Sequence, residues 1–205
     1  MSANGVPALA LADITCRFVA RDGRGGAYTA VADTTLEIAK GEFVSVVGPT
    51  GCGKSTLLNV AAGLLAPSSG TVEVFGEPLV AADGVNRRAG YMFQADALMP
   101  WRSGIDNVIA GLEFRGVART EAIAQGEEWL RRVGLAGFGD RYPHQMSGGM
   151  RKRLALAQTL ILSPDILLMD EPFSALDVQT RQLMENELLA LWAVDLALRS
   201  RLALG

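Results

Sequence analysis

The segment from residue 48 to residue 56 has the residue types and spacing of a loop that binds phosphate groups. It reads Gly48-Pro49-Thr50-Gly51-Cys52-Gly53-Lys54-Ser55-Thr56, and its first eight residues fit the pattern G-x-x-x-x-G-K-[ST]. An apolar run precedes it and a helical pattern follows, which is the setting that the pattern requires. Glycines let successive backbone N–H groups turn toward an anion, and the positive end of the helix strengthens that attraction. Lys54 can reach the β- and γ-phosphates of a nucleotide, and the Ser55 hydroxyl can bind Mg²⁺.

The two cysteines of the chain, Cys16 and Cys52, lack the spacing of metal ligands, which favours a reducing compartment. Cys52 lies near the start of a predicted helix, so sensitivity of this thiol to alkylation is one interpretation. A small loop residue without special reactivity is the favoured one.

A second candidate site follows the apolar run Ile166-Leu167-Leu168-Met169, which predicts a buried strand. Asp170 and Glu171 come directly after it, at the strand end where open α/β sheets hold their chemistry. Asp170 could hold Mg²⁺ through a water molecule, and Glu171 could polarise an attacking water. An apolar strand ending in two acids is common by itself, so this interpretation depends on the phosphate loop.

Composition narrows the class of protein. The 205 residues are 49% hydrophobic and 20% charged, which is typical of a globular chain and excludes wholesale disorder. The net charge of −3 provides no overall basic field to attract nucleic acid. No apolar run reaches the roughly 18–20 residues that a membrane-spanning helix needs, and the N-terminus does not resemble a secretory signal. We expect a soluble chain that can dock on a membrane protein.

Apolar periodicity and Gly/Pro punctuation predict an α/β core with a helical insert. The predicted strands are residues 11–18, 31–38, 43–47, 71–75, 89–93 and 166–169, with a Gly-rich hairpin loop over 21–26. The predicted helices are 54–62, 105–114, 121–133, 151–162 and 178–191. We expect one domain, in which residues 1–94 and 163–205 form the core and residues 95–162 form a helical subdomain.

A third motif, Met146-Ser147-Gly148-Gly149-Met150, opens the predicted helix over 151–162. With it, the chain resembles the nucleotide-binding subunits of ATP-binding cassette (ABC) transporters, whose signature normally reads Leu-Ser-Gly-Gly-Gln. The chain departs from that signature at Met146 and Met150. The order of motifs is also the family's: phosphate loop, Gln94 at a strand end, signature, acidic strand, then Ser174-Ala175-Leu176-Asp177. The likeness runs from about residue 8 to residue 191.

The resemblance implies a P-loop NTPase (ABC ATPase) core with a small antiparallel β subdomain and a helical subdomain. It implies that the phosphate loop, from Gly48 to Thr56, binds ATP with Mg²⁺. Ser55, Gln94 and Asp170 would be the residues at the metal. Glu171, Lys54 and Gln94 are then the catalytic residues. Phe18 is the expected adenine-stacking aromatic, Tyr28 is the reserve candidate, and packing in the core remains an alternative for Phe18.

The family's organisation implies a homodimer in which ATP lies between one subunit's phosphate loop and Ser147, Gly148 and Gly149 of the other. Asp177 would lie at the seam between the subunits. Closure of this dimer would drive transmembrane permease subunits, with the dimer at the cytoplasmic face of the membrane. A substrate-binding protein would be an indirect partner. The apolar stretch Leu98-Met99-Pro100-Trp101 is the expected permease socket, or alternatively a cover of the helical subdomain. The Phe-Gln and Pro-Trp pairs resemble importers of nitrate, sulfonates or taurine.

Two alternatives to the function of an importer subunit, and one alternative for two arginines, remain to be weighed. A soluble ABC ATPase acting on nucleic acid or ribosomes is disfavoured, because the chain lacks heptad repeats and a second cassette. A remnant that binds nucleotide without hydrolysis stays open. Arg151 or Arg153, in the run Arg151-Lys152-Arg153, could touch nucleotide, although we expect these two arginines to lie in solvent.

The C-terminal segment departs from the family. Related subunits continue with a further strand and a histidine that contacts the γ-phosphate, whereas the last histidine here is His144. Residues 192–205 are rich in Ala and Leu, which favours helix over strand. We therefore expect a truncated or frame-shifted end, an empty slot of about 10 Å between the strands at 43–47 and 166–169, and poor hydrolysis.

Overall fold

The computed structural model describes residues 5–19, 26–79, 86–173, 178, 181–182 and 200–204. The chain divides into two compact units. The first contains residues 1–89, 165–170 and 199–205, and the second contains residues 90–164 and 171–198. Within the described ranges, no helix is long and apolar enough to cross a membrane.

An antiparallel sheet of four strands belongs to the first unit. The strands are β1 (Leu9–Val19), β2 (Ala27–Ile38), β4 (Ser69–Val74) and β5 (Glu77–Pro78). Their order in the sheet is β2-β1-β4-β5. The sequence predicted all but the short β5, and the predicted antiparallel β subdomain is confirmed. The inward side chains of this unit form an apolar core that includes Leu9, Leu11, Ile14, Ile38 and Leu58.

The pairing of β1 with β2 is irregular at two aspartates with a left-handed backbone, Asp13 (φ 53°) and Asp33 (φ 41°). Each aspartate is held by a threonine on the opposite strand. The Thr15 hydroxyl donates to Asp33 (3.2 Å), and the Thr35 hydroxyl donates to Asp13 (3.2 Å). These side-chain bonds fix the bulges, which strengthen the local twist of the sheet.

The parallel sheet of the first unit contains β3 (Phe43–Val46) and β7 (Ile166–Met169), as the sequence predicted. All four side chains of β7 are buried, as expected of a strand covered on both faces. The helix α1 (Lys54–Ala61) follows β3 after the phosphate loop. It buries Leu57, Leu58, Val60 and Ala61.

The slot between β3 and β7 is occupied, so the expectation of an empty gap is wrong. A further strand, β8 (Ser200–Leu204), pairs in parallel with both neighbours. Val44 and Leu168 both oppose Leu202, and Ser45 and Met169 both oppose Ala203.

The reason for this error is tertiary context. The helix preference of Ala and Leu over strand formers amounts to less than about 1 kcal/mol per residue. Pairing with two flanking strands stabilises the strand conformation by more than this preference, because each buried backbone group left unpaired costs about 1–3 kcal/mol. A segment of modest strand propensity is therefore held as a strand when it completes two ladders at once.

The second unit consists mainly of helices that follow β6 (Ala89–Met92). These are α2 (Gly104–Phe114), α3 (Arg119–Arg132), a short 3₁₀ helix (Pro143–Gln145) and α4 (Gly148–Leu160). The core of this unit includes Met92, Ile109, Leu130, Leu135, Leu154 and Leu156. Helix α3 approaches α2 at Gly126, where an added Cβ would lie 2.6 Å from side-chain carbons of Ile105 and Ile109.

The start of α2 is fixed by Ser103, whose hydroxyl accepts a hydrogen bond from the Asp106 amide. Hydrogen bonds from the Ser103 hydroxyl and the Arg119 guanidinium hold the pKa of the Asp106 carboxyl below its ordinary value. A negative charge in the first turn also suits the positive end of the helix.

Several sequence predictions fall outside the described residues. They are the hairpin loop over 21–26 except Gly26, the segment 174–177 with Asp177, and most of the helix over 178–191.

The pairing of β8 can be tested by replacing Ala203, which opposes Ser45 on one side and Met169 on the other. Proline at this position removes a backbone donor from the ladder. We expect Ala203→Pro to lower the free energy of unfolding in urea by about 3 kcal/mol. Ala203→Val is the control, because it keeps the N–H group and favours a strand, and its effect should stay below about 1 kcal/mol. Equal stability of the two variants would contradict the assignment of β8.

Candidate functional site

The loop between β3 and α1 depends on two glycines in the left-handed region, Gly51 (φ 82°) and Gly53 (φ 96°). Gly53 lies directly before α1 and against β2. A Cβ on Gly53 would lie 2.3 Å from the Ala30 carbonyl oxygen and 3.0 Å from Val31 Cγ2. No side chain fits there, so the loop can pass beneath β2 only as glycine.

The other residues of the loop close it upon itself. The Cys52 amide donates to the Pro49 carbonyl oxygen (3.3 Å), which forms a tight turn. The Cys52 sulfur lies 2.8 Å from where a Cβ of Gly48 would stand. Cys52 thus fills the space that Gly48 leaves, and its side chain is exposed.

The start of α1 provides backbone amides without helical partners. Lys54, Ser55 and Thr56 form its first turn, where N–H groups point out of the helix end. The Lys54 ammonium donates to the carbonyl oxygens of Gly48 (2.7 Å) and Pro49 (3.1 Å), so it lies over the loop. Amides and a cation at one helix end form a suitable anion cradle.

The first unit brings Asp170 to this helix end. The Ser55 hydroxyl donates to the Asp170 carboxylate at 3.0 Å, although the two residues are 115 positions apart in the chain. Asp170 is 9% exposed and stands one residue beyond the end of β7. A hydroxyl and a carboxylate oxygen are ligands that Mg²⁺ prefers, so this donor set fits the predicted metal.

The two aromatic candidates in the first unit lie opposite each other on β1 and β2. The rings of Phe18 and Tyr28 are stacked, with centroids 5.6 Å apart and an angle of 27° between the planes. Phe18 is half-buried and Tyr28 is 57% exposed. The two rings thus form a partly exposed aromatic surface at the end of β1 and the beginning of β2.

The second unit joins Gln94 and Glu171. The Gln94 side-chain amide donates to Glu171 Oε2 at 2.9 Å. Glu171 has a left-handed backbone (φ 41°), which is costly for a residue with a side chain and typical of functional positions. Gln94 is exposed, two residues beyond the end of β6.

The signature segment of the second unit forms the N-terminus of α4. The Ser147 hydroxyl accepts a hydrogen bond from the Met150 amide (3.2 Å) and caps the helix. A hydroxyl that accepts in this way keeps its own proton for donation to an anion. Ser147 and Gly148 are exposed, whereas Met146 is buried and packs near Gly104. The departure at Met146 therefore preserves the apolar role of that position.

Lys152, for which the sequence yielded no prediction, and Arg151, which was expected to lie in solvent, both have partners within the second unit. Lys152 is 4% exposed and binds the Gln94 carbonyl oxygen (2.6 Å). Arg151 pairs with Asp96 (2.9 Å). The sequence contained a signal for Lys152, which stands three and four residues before the buried Ala155 and Leu156, on the inner face of α4.

Asn107 is a second residue that the sequence reasoning missed. It is fully buried, and the two protons of its amide nitrogen are shared among the carbonyl oxygens of Met99 (3.1 Å), Arg102 (3.0 Å) and Ser103 (2.9 Å). Its oxygen accepts from the Met99 amide (2.8 Å). These bonds fix the turn that carries Trp101, which is 74% exposed.

Comparison with known proteins relates the chain to one family. The family model described as ABC transporter matches residues 31–174. The chain is 47% identical over 168 residues to an uncharacterized ABC transporter ATP-binding protein, MJ0412, of Methanocaldococcus jannaschii, covering 82% of this chain and 62% of the relative. It is 46% identical over 169 residues to the taurine import ATP-binding protein TauB of Pseudomonas aeruginosa, covering 82% and 63%. The chain thus spans less than two thirds of the length of these relatives.

The fold is similar to solved cassette structures. The ATP-binding cassette MJ0796, in a dimeric post-hydrolysis state bound to ADP and Pi, matches with a TM-score of 0.84 at 29% identity. That match covers 96% of this chain and 87% of the other. A second dimeric structure of MJ0796, described as a bacterial ABC transporter cassette, matches with a TM-score of 0.83 at 30% identity and the same coverage. The predicted α/β P-loop NTPase fold is confirmed.

The phosphate loop can be tested by comparing alanine at its two left-handed glycines. Gly53→Ala forces a Cβ into the Ala30 carbonyl oxygen, whereas Gly51 has open space around it. We expect Gly53→Ala to lower the affinity for Mg-ATP more than tenfold and the free energy of unfolding by about 2–4 kcal/mol. Gly51→Ala should cost only the backbone strain of about 1–2 kcal/mol. Fluorescent-nucleotide titration measures the affinity, and urea unfolding measures the free energy of unfolding. Equal values for the two variants would contradict the close approach of Gly53 to the Ala30 carbonyl oxygen.

Proposed function

The chain belongs to the ABC transporter family, and we propose from this that it is the ATP-binding and ATP-hydrolysing subunit of an importer. One observation carries the proposal. The phosphate loop holds Ser55 at 3.0 Å from Asp170, so a phosphate cradle and a metal-binding carboxylate meet at the start of α1. Such an arrangement suits Mg-ATP, because both the anion and its cation find ligands there.

Residues of the loop would bind the triphosphate through backbone N–H groups and the Lys54 ammonium. Lys54 must exchange its bonds to the Gly48 and Pro49 carbonyl oxygens for phosphate oxygens. Ser55 and Asp170 would hold Mg²⁺, which supplies positive charge to the phosphates when bound. The stacked rings of Phe18 and Tyr28 would receive the adenine.

Glu171 is the proposed group that polarises the attacking water. A carboxylate has two oxygens and about four acceptor positions, so the bond from Gln94 to Oε2 still permits a role in proton transfer. Gln94 would then orient Glu171 and contribute to the metal site. The strained backbone of Glu171 supports this role, since strain persists where function requires a fixed geometry.

We propose that two copies of the chain close around ATP. Ser147, with the amides of Gly148 and Gly149 at the positive end of α4, would bind the γ-phosphate held by the other copy. The dimeric descriptions of the similar MJ0796 structures support this arrangement. Asp177, outside the described residues, is assigned to the seam between the copies.

The partners follow from the same proposal. Transmembrane permease subunits would contact the turn at residues 98–101, in which Pro100 and Trp101 are exposed, at the cytoplasmic face of the membrane, where this subunit would be peripheral. A substrate-binding protein would act with them. Relatives at 46–47% identity are named taurine import ATP-binding proteins, which supports a small anion such as taurine, a sulfonate or nitrate as the solute.

Hydrolysis by these 205 residues is proposed to be slow. The sequence has one histidine, His144, and it precedes the signature segment. None of the 205 residues therefore supplies the γ-phosphate histidine that the family places after the acidic strand.

The proposal predicts a separation between binding and turnover at Glu171. Glu171→Gln should lower single-turnover hydrolysis of Mg-ATP about 10²–10⁴-fold, because the amide cannot accept a proton. Binding of Mg-ATP should change less than threefold, since the phosphate loop is intact. Filter binding and release of labelled phosphate over hours measure the two quantities.

Glu121→Gln serves as the control, because this exposed glutamate lies on α3 and its carboxylate accepts a hydrogen bond from the Gln125 side chain (3.2 Å). It should leave both quantities unchanged. Binding without any hydrolysis by the unaltered chain would favour a nucleotide-binding remnant. Neither binding nor hydrolysis would overturn the proposed function.

A further inference from the structure

Lys152 is the central residue of a charged cluster inside the second unit. Its side chain is 5% exposed, and its ammonium lies 3.2 Å from an Asp96 carboxylate oxygen and 2.6 Å from the Gln94 carbonyl oxygen. A buried ammonium requires such partners, because a desolvated charge without a partner is strongly unfavourable. Lys152 therefore fixes the main chain of Gln94 to helix α4.

Arg151 extends the cluster toward the signature segment. Its Nε binds the other Asp96 oxygen (2.9 Å), and its Nη1 donates to the Met146 carbonyl oxygen (2.9 Å). The Asp96 carboxylate thus accepts from two consecutive residues of α4 with different oxygens. Since Met146 directly precedes the capping Ser147, the position of the cap is tied to Asp96.

The cluster has functional residues at both ends. At one end, the Gln94 side chain donates to Glu171 (2.9 Å) while its backbone carbonyl is held by Lys152. At the other end lie Met146 and Ser147. All of these residues belong to the second unit, so the chain of contacts is continuous within one body.

We propose that Asp96, Arg151 and Lys152 are positioning residues that relay closure at Ser147 to Gln94. This inference rests on the proposed function. There, Ser147 contacts the nucleotide bound by the other copy, and Gln94 contributes to the site of the nucleotide bound by its own copy. Movement of the Ser147 segment on closure shifts Met146, and the cluster transmits that shift to Gln94. Occupation of one site thereby favours the productive geometry of the second, which is a coupling free energy between the two sites.

The relay predicts a loss of cooperativity without a loss of intrinsic affinity. Asp96→Asn keeps the shape of the side chain and removes the charge that joins Arg151 to Lys152. We expect the Hill coefficient for a mant-labelled, non-hydrolysable ATP analogue with Mg²⁺ to fall from about 1.5–2 to about 1. The concentration for half-saturation at low protein concentration should change less than threefold, because no residue of the phosphate loop is altered. Single-turnover hydrolysis should fall about 3- to 30-fold.

Glu113→Gln is the matched control in the same unit. Glu113 pairs with two cations, Arg102 and Arg119, and its side chain is 25% exposed against 23% for Asp96. A role of Asp96 in stability alone would therefore be reproduced by Glu113→Gln. The relay requires that Glu113→Gln keep the Hill coefficient of the unaltered chain.

Asp96→Asn leaves Lys152 without its carboxylate partner, which can destabilise the fold. A double variant therefore controls for unfolding. Asp96→Asn combined with Lys152→Met removes both charges and leaves no unpaired buried ion. It should fold as stably as the control in urea and still bind the analogue with a Hill coefficient near 1.

The outcomes separate the relay from the proposed function. Cooperative binding by the unaltered chain that is lost in the double variant and kept in Glu113→Gln supports the relay. Cooperative binding that persists in the double variant, or is equally reduced in Glu113→Gln, overturns the relay alone. Non-cooperative binding with measurable hydrolysis by the unaltered chain also overturns only the relay. Absence of both binding and hydrolysis overturns the proposed function and the relay with it.

Discussion

The close passage of Gly53 beneath the Ala30 carbonyl oxygen is the constraint on which the candidate site depends. It sets where α1 begins, because the left-handed backbone of Gly53 ends the loop and the next residue is helical. From this start, the first turn of α1 directs the Ser55 hydroxyl to Asp170 and brings Lys54 back over the loop. The geometry of the phosphate cradle thus follows from one position where a side chain has no room.

Charge is organised differently in the second unit. Its exposed ion pairs, such as those of Glu128 with Arg131 and Arg132, lie on the surface of one helix, where such pairs contribute little to stability. The pairs of Asp96 instead join a loop to a helix through a nearly buried lysine. Desolvated charges are expensive to leave unpaired, so they specify one arrangement of the loop that carries Gln94. The contrast indicates that the cluster defines geometry more than it adds stability.

The features that the sequence predicted well are local ones. The loop before α1, the buried strand before Asp170 and the helix that follows Ser147 each depend on a few consecutive residues, so their types and spacing were sufficient. The strand at 200–204 was missed because its conformation comes from two neighbours distant in sequence, while its own Ala and Leu favour helix. The buried position of Lys152 was not predicted, because its partners lie 56–58 positions away, at Asp96 and Gln94. Periodicity along α4 could have placed it on the buried face, but could not have named those partners.

The most direct test of the account is a heteronuclear NMR titration of the ¹⁵N-labelled chain with Mg-ATP. The account predicts large shifts of the backbone amides of Gly51, Gly53, Lys54 and Ser55, because these groups surround the triphosphate. The amides of Gly116 and Gly137, which are left-handed glycines in the second unit, should stay in place at protein concentrations too low for the dimer. Unmoved loop amides at saturating nucleotide, or shifts confined to other residues, would contradict the central claim.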